Sequence, residues 1–172
     1  TASDVRTDKM PEAANALLDA KFEGTRTDLA KLEVTLGPWK LGARGVVDDK
    51  HADLSELRLW QKDTQLLDGR AQVPFDVMQP GTSKMDVAIR AKDLKLHEVL
   101  ASAGISGVPA AVLNADIALG GRLDSASGGV KVNVRDVKVP NAPKAFQPAS
   151  LDLDVTLANK QVKSLVKVSQ PP

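Results

Sequence analysis

Apolar and polar residues alternate along most of the chain, the signature of strands with one oily and one wet face. Leu32, Val34 and Leu36 alternate with Lys31, Glu33 and Thr35. Leu67, Ala71, Val73, Phe75 and Val77 share one parity against Asp68, Arg70, Gln72 and Asp76. Met85, Val87, Ile89 and Ala91 alternate with Lys84, Asp86 and Arg90. The same period runs through Leu113, Ala115, Ile117 and Leu119, through Val130, Val132 and Val134, and through Leu151, Leu153, Val155 and Leu157. Leu18, Ala20 and Phe22 alternate with charges, which predicts a strand from about Ala16 to Phe22. Roughly ten such segments recur, so the chain is expected to be all-β with one solvated sheet face.

The connections carry turn chemistry. Gly37-Pro38, Pro80-Gly81-Thr82-Ser83, Asp124 to Gly129 and Ala158-Asn159-Lys160 are all turn-prone. Gly and Asn tolerate positive φ, and Pro presets φ near −65°. One stretch has a different period. Leu96, Val99, Leu100 and Ala103 sit at i, i+3, i+4 and i+7, which predicts a short α-helix near 96–103. Gly104 is placed to end it in the left-handed region. The stripe of this helix must pack on the apolar sheet face or cover a sheet end.

Two segments repeat. Val87-x-Ile89-x-Ala91-Lys92-Asp93-Leu94-Lys95-Leu96 matches Val130-x-Val132-x-Val134-Arg135-Asp136-Val137-Lys138-Val139, with Asp93 and Asp136 43 residues apart. The apolar parity changes at the same place in both, across Lys92-Asp93 and Arg135-Asp136. A one-residue parity change is what a β-bulge produces, and bulges bend and twist a strand. Self-similarity over tens of residues points to a stack of strands in which each contacts mainly its neighbours.

Composition narrows the functional classes. The chain has 172 residues, 23 Lys+Arg against 22 Asp+Glu, and a formal net charge of +1. That balance gives no electrostatic case for a nucleic-acid partner. No segment reaches the ~18 consecutive apolar residues of a membrane span. Thr1-Ala2-Ser3-Asp4 is polar, and the chain reads as one domain, an excised or processed piece of a longer repeat-built protein. Cysteine is absent, which leaves no disulfide framework and no thiol chemistry. Hydrophobic residues make up 42% of the chain but only five are aromatic, so the oily face is lined by Val, Leu, Ile and Ala.

No catalytic constellation emerges, and no enzyme activity, cofactor or metal is expected. His97 lies in the helix beside Glu98 and reads as a helix-face histidine. Asp48-Asp49-Lys50-His51 lacks EF-hand spacing and carries an opposing lysine, so it reads as a solvated loop. Gly104-Ile105-Ser106-Gly107 is one residue short of a nucleophile elbow, and Gly81-Thr82-Ser83-Lys84 lacks the flanks of a phosphate loop. Asp152 and Asp154 share a strand face, for which a polar edge is the simpler account. Lys131, Lys138 and Lys163 read as inward or edge charges that discourage edge-to-edge pairing.

The stretch from Leu113 through Gly120-Gly121, Asp124-Ser125-Ala126-Ser127-Gly128-Gly129 and Val130-Lys131-Val132 resembles the TamB family of translocation and assembly module proteins and their AsmA-like relatives. Leu66-Leu67-Asp68-Gly69-Arg70-Ala71 and Asp93-Leu94-Lys95-Leu96 fit the same style, and the likeness runs over nearly the whole chain. The resemblance implies a long curved U-shaped sheet, a β-taco, with an apolar concave face. It implies a periplasmic place in a Gram-negative envelope, in a parent anchored to the inner membrane. It further implies phospholipid transport between membranes, or support of outer-membrane protein assembly with an Omp85-type barrel as partner. The residues expected to line an acyl-chain groove are Val87, Ile89, Leu113, Ile117, Leu119, Val130, Val132, Val134, Leu151, Leu153, Val155 and Leu157.

Two alternatives stay open at this point. An apolar sheet face must be covered, by a second sheet, by closure, or by an apolar ligand. Alternation by itself favours a sandwich or closed barrel, and the resemblance favours an open groove. In function, the alternative to a lipid groove is a structural or adhesive β-module that binds protein partners by strand addition. Free sheet edges would also favour edge-to-edge or end-to-end self-association.

Overall fold

The computed structural model describes residues 14–75, 83–102, 104–105, 107–138 and 149–170. Its strands are β1 (Ala14–Glu23), β2 (Arg26–Leu36), β3 (Trp39–Val47), β4 (His51–Gln61) and β5 (Thr64–Pro74). They continue as β6 (Lys84–Lys95), β7 (Ala110–Arg122), β8 (Ser127–Lys138), β9 (Ala149–Ala158) and β10 (Gln161–Ser169). Each pairs antiparallel with the next, in one ten-stranded sheet ordered β1 to β10. A helix, α1 (Leu96–Ser102), follows β6, and a 3₁₀ turn (Leu123–Ser125) follows β7.

The sheet is open, since β1 and β10 do not pair with each other. The sandwich and the closed barrel, which alternation favoured, are therefore not what the chain forms. Period-two patterning specifies which side of a strand is oily but not what covers that side. The turns match their residues. Asn159 and Lys160 both have positive φ, 52° and 62°, which makes the β9–β10 connection a type I′ hairpin. The Pro80-Gly81-Thr82 turn and Val139, the last repeat residue, lie outside the described residues.

The register shifts expected from the repeat occur where the parity changes, between Ala91 and Leu94 in β6 and between Val134 and Val137 in β8. Asp93 and Asp136 hold positive φ there, 52° and 56°. The side chain of Asn114 accepts from the Asp93 amide at 2.8 Å, and Arg135 forms an ion pair with Asp93 across β7. The two copies of the repeat are thus joined at their bulges. Similar shifts separate Leu29 from Leu32 and Leu54 from Leu57. All four share one local pattern: an apolar residue, two polar or small ones, then an apolar residue. Repeated bulges accumulate bend and twist, so the sheet is curved.

Helix α1 ends in a Schellman motif. The Gly104 amide donates to the Ala101 carbonyl at 2.9 Å and the Ile105 amide to the Leu100 carbonyl at 2.8 Å, with Gly104 at φ 79°. The stripe of α1 packs on the oily side: Leu96 and Val99 lie against a cluster of Trp39, Leu66 and Leu94, joined by Leu59 and Leu113. Leu66 enters this cluster because the β4–β5 register shifts between Leu59 and Trp60, so Leu66 and Leu67 need not alternate. Gln61 donates to Glu98 at 2.7 Å and Lys95 lies 2.9 Å from the same carboxylate, pinning α1 over this end of the sheet.

Lys131 and Lys138 lie in β8, two strands in from the β10 edge, so they are not edge charges; Lys163, in β10, is. Lys131 faces Asp116 on one side and Asp154 on the other.

Candidate functional site

The register places the apolar positions in rows that cross the sheet. One row contains Ala16, Val34, Leu41, Leu59, Leu67, Ala91, Ala115, Val132, Leu153 and Val166, one residue from each strand. The next runs through Leu18, Leu32, Ala43, Leu57, Gly69, Ile89, Ile117, Val130 and Val155 to Ser164. The result is an aliphatic surface about 43 Å long, taking nine steps of ~4.8 Å between strands.

All twelve residues expected to line a groove share this face. Ile89, Ile117, Val130 and Val155 are direct neighbours across β6 to β9. Val87 lies beside Leu119, with Gly128 and Leu157 continuing that row. Val132 is flanked by Leu153, and Leu113 is followed by Val134 and Leu151. Sequence reasoning stopped short of the remaining half of the surface. Leu41, Leu54, Leu57 and Leu59 in β3 and β4 belong to it, as do Val166 and Val168 in β10. Their signal was present, but bulges interrupt the parity in β4 and break the run into pieces too short to count as alternation.

The face is open yet sheltered. Among the described residues no side chain is fully buried, and the buried hydrophobics are Trp39, Ala43, Leu66, Ala91, Leu94 and Ala111. Ala43 and Ala91 belong to the aliphatic rows and are only 7% exposed. A methyl group on an open face is hidden to that degree only where taller neighbours overhang it. Gly45 and Gly128 lie on the same face. A Cβ at Gly45 would sit 2.1 Å from the Asp53 carbonyl oxygen, and one at Gly128 2.0 Å from that of Ala118. At both points the neighbouring strand's backbone fills the place of a side chain, so only glycine fits there. Trp39, Leu66 and Leu94 close one end beneath α1.

The opposite face is a ladder of charges. Arg58, Asp68, Arg90, Asp116, Lys131 and Asp154 stand opposite one another on six successive strands, with alternating sign. Arg58 and Arg90 lie 3.6 Å from Asp68 and Asp116 respectively. Exposed pairs of this kind contribute little each, about 0–1 kcal/mol, but they fix register and keep the face wet. Hollows of roughly 390 and 460 Å³ lie between these charged side chains. Both also touch residues of the aliphatic rows, Ala115 and Val132 in the first and Ile89 and Ile117 in the second, and both mix acidic with basic side chains.

The other sequence candidates resolve into local structure. The Asp48 carboxylate accepts from the Lys50 and His51 amides at 2.8 Å and lies 3.0 Å from His51 Nδ1. The Lys50 amide first, then that of His51, holds its pKa below the ordinary carboxylate value. This is a turn that caps its own backbone. His97 sits on α1, half-buried, with Nδ1 unpartnered. Asp152 accepts from Asn133 at 2.7 Å, and Asp154 stands opposite Lys131. Among the described residues no three metal-ligating side chains gather. Comparison with protein-family models, with curated proteins and with solved structures returned no match.

Proposed function

We propose that this chain is a lipid-sheltering segment of the cell envelope, whose aliphatic face covers acyl chains during phospholipid movement between membranes. The observation that carries the reading is the unbroken row from Ala16 to Val166, apolar on all ten strands and, among the described residues, covered by no second sheet and only at one end by α1. Burying a methylene group contributes about 0.8 kcal/mol, so half-covering ~16 of them supplies roughly 6 kcal/mol without one polar contact. Such attraction is non-directional, which suits a chain that slides. The surface offers few rings to obstruct it. The resemblance to TamB-like proteins supports the same reading and adds a periplasmic location and an outer-membrane barrel partner. A second reading, a scaffold that binds proteins by strand addition, is favoured by β10, whose nine residues are all exposed.

The two tryptophans provide a test, because they lie on opposite faces. Trp39 is in the oily cluster, and Trp60 stands over Gly42 on the charged face. Dibrominated stearate titrated into delipidated protein should quench Trp39 in a Trp60→Phe variant and leave Trp60 bright in a Trp39→Phe variant. Equal quenching, or none at Trp39, contradicts the lipid reading and favours the scaffold.

A further inference from the structure

We propose that copies of this chain join edge to edge, with β10 of one copy pairing antiparallel with β1 of the next, in the register that sets Leu165 opposite Leu17. Both strands lack an outer partner among the described residues. Both strands expose large apolar side chains on the oily side: Val162, Val166 and Val168 are 68%, 59% and 70% exposed in β10, and Leu18 is 48% exposed in β1. An unpaired strand edge with apolar flanks is a template for another strand.

The direction follows from the fold. The sheet is an antiparallel meander with an even number of strands, so an incoming β1 continues the alternation beside β10 and keeps oily side on oily side. The register follows from the residues. The cross-strand row that carries the charge ladder begins at Leu17 in β1 and ends at Leu165 in β10. These two leucines stand on an otherwise charged face, each with only a carboxylate residue beside it in the sheet, Glu33 for Leu17 and Asp154 for Leu165, and they lie at the two ends of the same row. Set opposite each other, they put Lys163 opposite Asp19. On the oily side they put Val168, Val166 and Val162 opposite Ala14, Ala16 and Ala20, and Ser164 opposite Leu18. Large meets small at all four positions, and the apolar row containing Val166 continues into the row of the next copy that begins at Ala16.

Competing arrangements are worse. A one-residue slip turns the oily set of one strand to the wet face. Sliding β1 by two residues sets Lys163 against Lys21 and Leu165 against Asp19. Pairing two β10 strands about Leu165 sets Lys163 against Lys167 twice, and like charges directly opposite repel. The interface is therefore head-to-tail, which builds chains or rings rather than closed dimers. It does not depend on the lipid reading, since it uses only the edges.

The protein has no cysteine, so a disulfide reports the register directly. Opposed residues in antiparallel strands have Cα atoms about 4.5–5.5 Å apart, within disulfide range. The Leu17→Cys, Leu165→Cys double variant, oxidised at high concentration, should give a ladder of linked oligomers on a non-reducing gel. Either single variant should give none. Wild-type protein should gain mass with concentration in sedimentation velocity. Lys163→Glu should weaken that association at least tenfold, and adding Asp19→Lys should restore it. A wild-type monomer at every concentration overturns the proposal. So does cross-linking of Leu165→Cys alone, or preferential linking of Lys21→Cys with Leu165→Cys, which would report a four-residue slip. Circular dichroism confirms that each variant is folded.

Discussion

Ile117→Asp separates an exposed oily face from a covered one. Ile117 sits mid-sheet between Ile89 and Val130, half-buried. Full burial of an isoleucine contributes about 1.5–3 kcal/mol, so half-burial puts about 1–1.5 kcal/mol at stake. The new carboxylate keeps its water, so no penalty for an unpaired buried charge is added. For a domain of this length each kcal/mol shifts Tm by about 2–4 °C, which predicts a fall of about 2–6 °C in delipidated protein. Leu94→Asp is the control. Leu94 is 6% exposed within the Trp39–Leu66 cluster packed by α1, and a carboxylate there loses its hydration. That costs several kcal/mol against a total stability of about 5–15, so the variant should unfold or lose more than about 10 °C. Thermal melts followed by far-ultraviolet circular dichroism read both. If Ile117→Asp unfolds like Leu94→Asp, the face is a dry core and the account of an open surface is refuted.

Three further outcomes follow from local geometry. Lys160→Gly should stabilise the protein by about 1 kcal/mol in denaturant melts, because Lys160 holds φ 62° in the hairpin between β9 and β10. Gly128→Ala should destabilise it by more than about 2 kcal/mol, since φ is 136° and a Cβ would meet backbone at 2.0 Å; a neutral result would show that the strand does not close over this position. The Glu98 carboxyl is held below its ordinary value of 4.5, chiefly by Lys95 and also by Gln61, with partial burial opposing. A depressed folded-state pKa stabilises above 4.5, and that contribution is lost as pH falls through the folded value. The Trp39 environment should therefore change on acidification in wild type, and less so in Glu98→Gln.

The strands and the helix were legible because their periods are local. Two bulges were legible as well, because Lys92-Asp93 and Arg135-Asp136 recur in matching frames. The bulges at Leu29/Leu32 and Leu54/Leu57 carried the same three-residue spacing but no repeat to draw attention to it. Trp39, Leu66 and Leu94 were not recognisable as the packed end of the sheet. Leu66 breaks parity beside Leu67, and the three residues meet only once bulges and α1 bring β3, β5 and β6 together. Whether the oily side would be covered was not legible at all. An exposed aliphatic row and a sandwich core have the same alternation, and only the pairing order distinguishes them. The twelve residues expected on the apolar face share one side of β6 to β9, and the same side continues through residues of β3, β4 and β10 that alternation alone did not single out.

The most direct measurement is lipid mass spectrometry on an organic extract of protein purified without detergent, beside an Ile117→Asp variant shown to be folded. Stoichiometric phospholipid in the wild type and its loss in the variant is the predicted result. Lipid-free wild type that remains fully structured would contradict the central claim and leave the strand-edge scaffold as the account of this sheet.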